Sequence, residues 1–322
     1  MIITKTPLRI GLVGGSTDIP EYYRKYGGLL VSAAINKYIY IIVNKKFDHK
    51  IRVSYSKTEI VDTVNEIKHP SVREAMKLLD IDGGIEILSV SDIPSTGTGL
   101  GSSSTFLVGL LNALHAYKSE FASREKLAEE AIEIERNILR EPGGMQDQYM
   151  ASFGGINMLK FNENDSVYVN PVTLDHDKLE RLKENMVLLY TGIDHNSGEL
   201  HQNIRKEISS HLDEYEKMKG YSQDFYHYLF DMDIEKLGKT LNQNWICKKS
   251  LYEKISTPTI DDYYSRALEL GAYGGNLIGA GGGGFLVFIT DSWNKKKLDD
   301  LGLRNIDFDF DFEGSRIIYF SE

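Results

Sequence analysis

Glycine placement constrains this chain more than any other feature of its sequence. There are 29 glycines in 322 residues, where average usage of about 7% would give roughly 23. Eleven of them fall in three short segments, residues 11–15, 97–101 and 279–284. Backbone so rich in glycine has to turn tightly or pass very close to another group. The question is which chemistry-bearing side chains those segments accompany.

The second segment is the most specific. Pro94-Ser95-Thr96-Gly97-Thr98-Gly99-Leu100-Gly101-Ser102-Ser103-Ser104-Thr105 feeds straight into an apolar helical pattern expected over 105–118. Its glycines allow several N–H groups to turn inward, and the helix start adds partial positive charge, which together suit a phosphate chain. It lacks the lysine of G-x-x-x-x-G-K-[ST], so an ordinary P-loop ATPase does not fit. The first segment, Pro7-Leu8-Arg9-Ile10-Gly11-Leu12-Val13-Gly14-Gly15-Ser16-Thr17-Asp18, reads as a strand ending in a Gly-Gly turn. Asp18 there serves equally well as a helix N-cap or as a ligand group. The third, Gly279-Ala280-Gly281-Gly282-Gly283-Gly284-Phe285, formally satisfies G-x-G-x-x-G. It opens the strand-like Phe285-Leu286-Val287-Phe288-Ile289 rather than a helix, so a dinucleotide fingerprint is rejected.

Two carboxylates lie between the second and third segments. A helix is expected over 124–139, with Ser123 as N-cap and an apolar stripe of Leu127, Ala131, Ile134 and Ile138. Glu135 flanks that stripe, and Asp147 follows the Pro142-Gly143-Gly144 turn that ends it. One could hold Mg²⁺ and the other orient a nucleophile, the division of labour in phosphoryl transfer; spacing alone equally allows two surface acids.

Elsewhere, strands are expected at 29–35, 38–43, 51–55, 85–91 and 155–161. An apolar run at 186–191 precedes helical patterns at 197–218, 221–230, 234–248 and 259–270, and strands at 285–290 and 316–320 close the second half. A polar stretch over 162–183 suggests two domains, 1–170 and 171–322. The mixed order of strands and helices points to an α+β fold rather than a regular βαβ wind. With 37 Lys+Arg against 47 Asp+Glu, the net charge of −10 excludes a protein that coats nucleic acid through an overall basic surface. Cys247 stands alone, which excludes an internal disulfide or a multi-cysteine metal site. No apolar run approaches the roughly 18 residues of a membrane span, and no signal-peptide pattern opens the chain, so a cytoplasmic protein without membrane contacts is expected.

The three glycine motifs, taken in chain order, resemble the three signatures of the GHMP kinases. Within that superfamily the likeness is to sugar kinases acting on D-glycero-D-manno-heptose 7-phosphate, carried by residues 14–22, 35–40, 101–104 with 108–114, and 146–149 with 153–155. The resemblance implies an N-terminal domain of the ribosomal protein S5 domain 2 type and a ferredoxin-like C-terminal domain, with ATP and sugar bound between them. It implies that Gly97, Gly99, Leu100, Gly101, Ser102, Ser103 and Ser104 wrap the ATP phosphates, and that Ser103 and Glu135 hold Mg²⁺. Asp147 would accept or orient the proton of the attacking sugar hydroxyl, Arg9 would stabilise charge on the transferring phosphoryl group, and Asp18 would bind sugar hydroxyls. Gly281 and Gly282 would pack beside the substrate.

Two departures bear on specificity. Galactokinase-like enzymes carry Glu-His where this chain has Gly15-Ser16, which argues against galactose. Related heptose kinases often carry an arginine after the Thr-Gly of the second domain's first strand, whereas Thr191-Gly192-Ile193 is followed here by Asp194-His195-Asn196. A clamp for a sugar phosphate would then draw on His195, His201, Arg205 or Lys206, of which Arg205 is the chosen candidate; these residues also read as the polar face of a helix. The expected activity is ATP-dependent phosphorylation of the anomeric hydroxyl of heptose 7-phosphate. An unphosphorylated acceptor such as L-fucose is the alternative, and a non-catalytic ATP and sugar sensor is the alternative from another class.

Overall fold

The computed structural model describes residues 1–94, 97–193 and 197–321. In chain order the strands are β1 (Ile2–Val13), β2 (Gly28–Lys45), β3 (Ile51–Ser54), β4 (Thr58–Val61), β5 (Ile85–Ser91), β6 (Ile156–Phe161), β7 (Val167–Pro171), β8 (Met186–Tyr190), β9 (Ala272–Leu277), β10 (Phe285–Thr290), β11 (Arg304–Asn305) and β12 (Arg316–Phe320). The helices are α1 (Pro20–Tyr26), α2 (Pro70–Leu78), α3 (Ser102–Tyr117), α4 (Arg124–Ile132), α5 (Gln146–Phe153), α6 (His176–Glu184), α7 (Ser197–Glu207), α8 (Leu212–Asp231), α9 (Ile234–Ser250), α10 (Pro258–Glu269) and α11 (Ser292–Lys295). Strands and helices mix in the α+β manner expected. None of the helices is long and apolar enough to cross a membrane among the described residues.

Two sheets organise the chain. The first has eight strands in the order β12-β1-β2-β5-β3-β4, with β6 and β7 branching from β2; the second has the order β11-β8-β10-β9. β1 and β2 are buried along most of their length because helices cover the sheet they form, and α3 lies against both. One apolar core runs through both sheets, joining Leu8, Ile10 and Ile41 of the first to Leu237, Leu241, Ile278 and Val287 of the second half. That shared core fixes the cleft between them.

Several expectations need correction. The strand at 316–320 does not close the second half: β12 pairs antiparallel with β1, Ile2 opposite Phe320 and Lys5 opposite Arg316. β2 is one strand of 18 residues rather than two: Asn36 and Lys37 bulge out of the pairing where the register shifts between Pro7 and Leu8, and Asn36 is held there by Asp309, whose N–H donates to its Oδ1 and whose carbonyl accepts from its N–H, both at 2.8 Å. The helix expected over 124–139 is α-helical only to Ile132 and continues as a π-turn, Glu133–Ile138, although Ser123 caps it as read. Helices expected at 197–218 and 221–230 divide instead around Ile208–Ser210, and α8 runs unbroken through Gly220. Unforeseen were α2, β4, α5, β7, α6, α11, β11 and β9. Gly274 and Gly275 hide the last of these, since glycine weakens a strand pattern. Here a Cβ at Gly274 would come within 2.1 Å of the Gly238 carbonyl, so the close approach of α9 to β9 demands glycine.

Candidate active site

The site is built where the first and second glycine segments meet the end of the α4 π-turn and the start of α5. β1 delivers Arg9, which is 6% exposed. Its Nε donates to Asp147 Oδ1 at 2.7 Å, its second terminal nitrogen lies 2.7 Å from the same oxygen, and the other donates to the Gly99 carbonyl at 2.5 Å. One guanidinium thus ties Asp147 to the second glycine segment. Among the described residues no hydrogen bond goes to Asp147 Oδ2.

Glu135 is only 1% exposed, and its desolvation is offset by hydrogen bonds. Oε2 accepts from Ser104 Oγ at 2.8 Å and from the Gln148 amide nitrogen, while Oε1 carries the longer bond from Ser103 Oγ at 3.3 Å. The π-turn places it there: a wider turn shifts the helix face by one residue, and such bulges recur at functional sites. Asp18 is buried at the end of the first glycine turn and accepts from Gln146 N at 2.9 Å. Burial pushes its carboxyl above the usual carboxylate range; the Gln146 N–H opposes that and the neighbouring Asp147 charge adds to it. Gly144 is required beside it, since a Cβ there would sit 1.9 Å from Asp18 Oδ2. Arg136 fixes that turn by donating from Nε to the Gly144 carbonyl at 2.9 Å.

Arg9, Asp18, Ser103, Ser104, Glu135 and Asp147 all line one cleft. Of the other sequence candidates, Gly97, Gly99 and Gly101 form the backbone leading into α3, and Ser102 Oγ lies 3.3 Å from Thr98 Oγ1. The Leu100 side chain is fully buried, and its carbonyl accepts from Arg9 N at 3.1 Å. The third glycine segment packs against this loop: a Cβ at Gly99 would come within 2.4 Å of the Ile278 carbonyl, and one at Gly279 within 2.6 Å of Gly99 Cα. Gly279 lines the cleft, whereas Gly281 and Gly282 do not; both sit against Ile255, whose carbonyl accepts from Gly282 N at 2.9 Å. Arg205 is likewise outside it. It pairs with Glu21 and lines an adjoining hollow that shares Arg136, Glu141 and Gly143 with the cleft. His195 lies outside the described residues.

Three further cleft residues were not assigned by sequence reasoning: Lys248, Asn276 and Arg136. Lys248, on α9, donates to the carbonyls of Leu277 at 2.6 Å and Gly279 at 2.7 Å. Burial pulls its amine down to about 7, and the charge of Arg9 adds to the effect. His201 joins the cleft wall from α7, lowered to about 4 by burial with Asp147 opposing, so its ring is neutral at pH 7. No local signal marks Lys248 or Asn276, since each enters the cleft only through tertiary packing.

With that geometry in view, the likeness to known proteins is direct. The family model described as GHMP kinases N terminal domain matches residues 40–155, and that described as GHMP kinases C terminal matches 225–301. The D-glycero-alpha-D-manno-heptose 7-phosphate kinase of Campylobacter jejuni is 33% identical, over 92% of this chain and 91% of that one. The chain belongs to the GHMP kinases. It is accordingly an ATP-dependent phosphotransferase with the two-domain α+β GHMP kinase fold. A solved D-glycero-D-manno-heptose 1-phosphate kinase from Bacteroides thetaiotaomicron superposes with a TM-score of 0.84 at 25% identity, over 100% of both chains. The L-fucokinase/L-fucose-1-P guanylyltransferase of Bacteroides fragilis is 25% identical over 89% of this chain, which spans 34% of that longer protein.

Proposed function

We propose that this kinase transfers the γ-phosphoryl group of ATP to the anomeric hydroxyl of D-glycero-D-manno-heptose 7-phosphate, giving the 1,7-bisphosphate. The observation carrying the sugar-kinase reading is that Asp147, bonded to Arg9, shares a cleft with the buried Asp18, while Arg9 also reaches the phosphate loop at Gly99. The heptose relatives named above support the acceptor, although their names place the substrate phosphate at different positions. The S102–S104 stretch at the start of α3 and the Gly97–Gly101 backbone bind the phosphate chain through N–H groups and the helix N-terminus.

Asp147 orients the anomeric hydroxyl. As the oxygen–phosphorus bond forms and the bond to the ADP oxygen breaks, the hydroxyl proton passes to its carboxylate and ADP leaves with the electron pair. A loose transition state needs little base strength, so orientation is the larger contribution. Arg9 exchanges its bond to the Gly99 carbonyl for a transferring phosphoryl oxygen, where a fixed positive charge in a water-poor cleft stabilises the transition state. Ser103 Oγ and Glu135 Oε1, already within hydrogen-bond distance, suit Mg²⁺, which takes few protein ligands alongside phosphate oxygens and water. When bound, that ion offsets negative charge on the phosphates. Asp18 holds sugar hydroxyls.

Arg205 supplies the cation for the distant sugar phosphate, released from Glu21 when that phosphate arrives. A second reading, an unphosphorylated acceptor such as L-fucose, is favoured by one observation. The hollow around Arg205 carries Arg24, Arg136 and Arg205 against Glu21, Glu129, Glu133, Glu141 and Asp165, a net acidic lining. ADP release measured over heptose 7-phosphate, unphosphorylated heptose and L-fucose separates the two. Turnover of L-fucose with none of heptose 7-phosphate rejects the first reading, and ATP binding without transfer to any sugar would restore the sensor.

A further inference from the structure

The wall of the cleft contributed by the second half of the chain holds buried polar atoms without hydrogen-bond partners among the described residues. Asn276 is 4% exposed. Its amide nitrogen donates to the carbonyls of Leu12 at 3.0 Å and Gly11 at 3.3 Å, which fixes the orientation of the side chain, because a carbonyl needs a donor. Its Oδ1 is consequently committed to the other side, where it is buried and has no hydrogen-bond partner. His201 shows the same condition: Nδ1 is buried without a partner, and its ring lines the cleft. Lys248 Nζ gives two of its positions to Leu277 and Gly279, which leaves one, a third hydrogen in the ammonium or a lone pair in the amine.

A buried polar atom without a partner costs about 1–3 kcal/mol. Two such atoms on the lining of one cleft, next to an amine with one position open, are accounted for if a ligand completes them. On the facing wall the buried carboxylates of Asp18 and Glu135 are already engaged by the protein.

We infer that Asn276, His201 and Lys248 form the acceptor-reading wall of the cleft, each taking an oxygen of a polyhydroxylated substrate whose reacting hydroxyl faces Asp147. This rests on reading the cleft as a sugar-kinase site. Asn276 Oδ1 accepts from one hydroxyl. The neutral His201 exchanges a hydrogen bond with a second, and Lys248 with a third. The acceptor is therefore held across both halves of the chain, and its hydroxyl pattern is read mostly by the second.

The test is equilibrium binding and turnover of the intact protein with heptose 7-phosphate and with L-fucose, each with a non-hydrolysable ATP analogue present for binding. His201→Phe keeps a planar aromatic ring, slightly larger than imidazole, and removes both nitrogens. Asn276→Ala removes the orphan oxygen together with the bonds to Gly11 and Leu12, so its thermal midpoint is recorded alongside. The expected result is acceptor binding weakened about tenfold or more in His201→Phe, with the KM for ATP within about twofold. A single-deoxy analogue of the bound sugar should lose affinity against wild type and lose none further against the variant that lacks its partner. Unchanged acceptor affinity in His201→Phe, or deoxy analogues penalised equally in wild type and variants, overturns the inference. If L-fucose alone binds, the heptose reading fails while the wall is judged with L-fucose. If neither sugar binds wild type, both readings fall.

Discussion

Asp18, Glu135 and Asp147 on one side of the cleft, and Asn276, His201 and Lys248 on the other, differ in how the chain holds them. The carboxylates each have protein partners before any ligand arrives: Gln146 N for Asp18, three side chains for Glu135 and Arg9 for Asp147. A charge taken out of water must be paired or it shifts its protonation, so this side has to be organised in advance. The opposite side uses groups that are neutral at pH 7 or close to it, an amide, an imidazole and a lysine lowered to about 7. Such groups can be left partly unsatisfied at modest cost. The first side is thus fixed before any ligand arrives, and the second keeps polar valences open.

Substitutions on each side should separate these roles. The largest effect is expected from Asp147→Asn, which removes the proton acceptor and the charge that Arg9 holds: kcat should fall by about 10³-fold while ATP binding persists. Steady-state ADP release with a parallel nucleotide titration checks it, and undiminished turnover would strip Asp147 of its role. Gly144→Ala comes next. Its Cβ would press to 1.9 Å from Asp18 Oδ2, so Asp18 must leave its place. The KM for sugar should rise by about 10²-fold with little change in that for ATP, a split that general misfolding would not produce.

Arg205→Ala should act through the sugar phosphate alone. If Arg205 leaves Glu21 to bind it, the KM for heptose 7-phosphate rises about tenfold and that for L-fucose stays put. Equal, small changes for both sugars would leave the phosphate clamp to other groups. The smallest effect is on stability. Asp18 is raised from 3.8 in the folded state, so its ionised form disfavours folding once the pH passes that value, and the cost grows up to the folded pKa. Asp18→Asn should therefore match wild type near pH 3 and exceed it by about 2 °C in thermal midpoint at pH 7, while losing sugar affinity. A midpoint difference independent of pH would break the burial argument.

Sequence reading reached the two sides unequally, and for a physical reason. Arg9, Asp18, Ser103 and Asp147 sit within or beside glycine turns, and Glu135 follows an apolar stripe, so local pattern reveals them. Lys248 instead lies in the last turn of α9, where a lysine is expected simply to complement the helix C-terminus, and only packing against β9 turns it toward the cleft. Asn276 follows two glycines in a strand whose pattern they obscure. Arg205 was recognised as a cation, but its pairing with Glu21, far off in the chain, was not legible. The same distinction runs through the fold. β5 and β10 stand where alternation and β-branching placed them, and α3 begins three residues before its expected start. The π-turn at Glu133–Ile138 keeps the expected apolar stripe only as far as Ile134, burying Glu135 and leaving Ile138 exposed, and β12 had no local signal naming its partner.

That partner matters during synthesis. β1, which carries Arg9, has β2 on one edge and β12 on the other, and β12 emerges from the ribosome after everything else in the cleft. Until then the arginine's strand presents a row of unpaired N–H and C=O groups, open to pairing with another nascent chain. β12 is the natural cover for that exposed edge, so a strand made after the cleft residues protects one made before them.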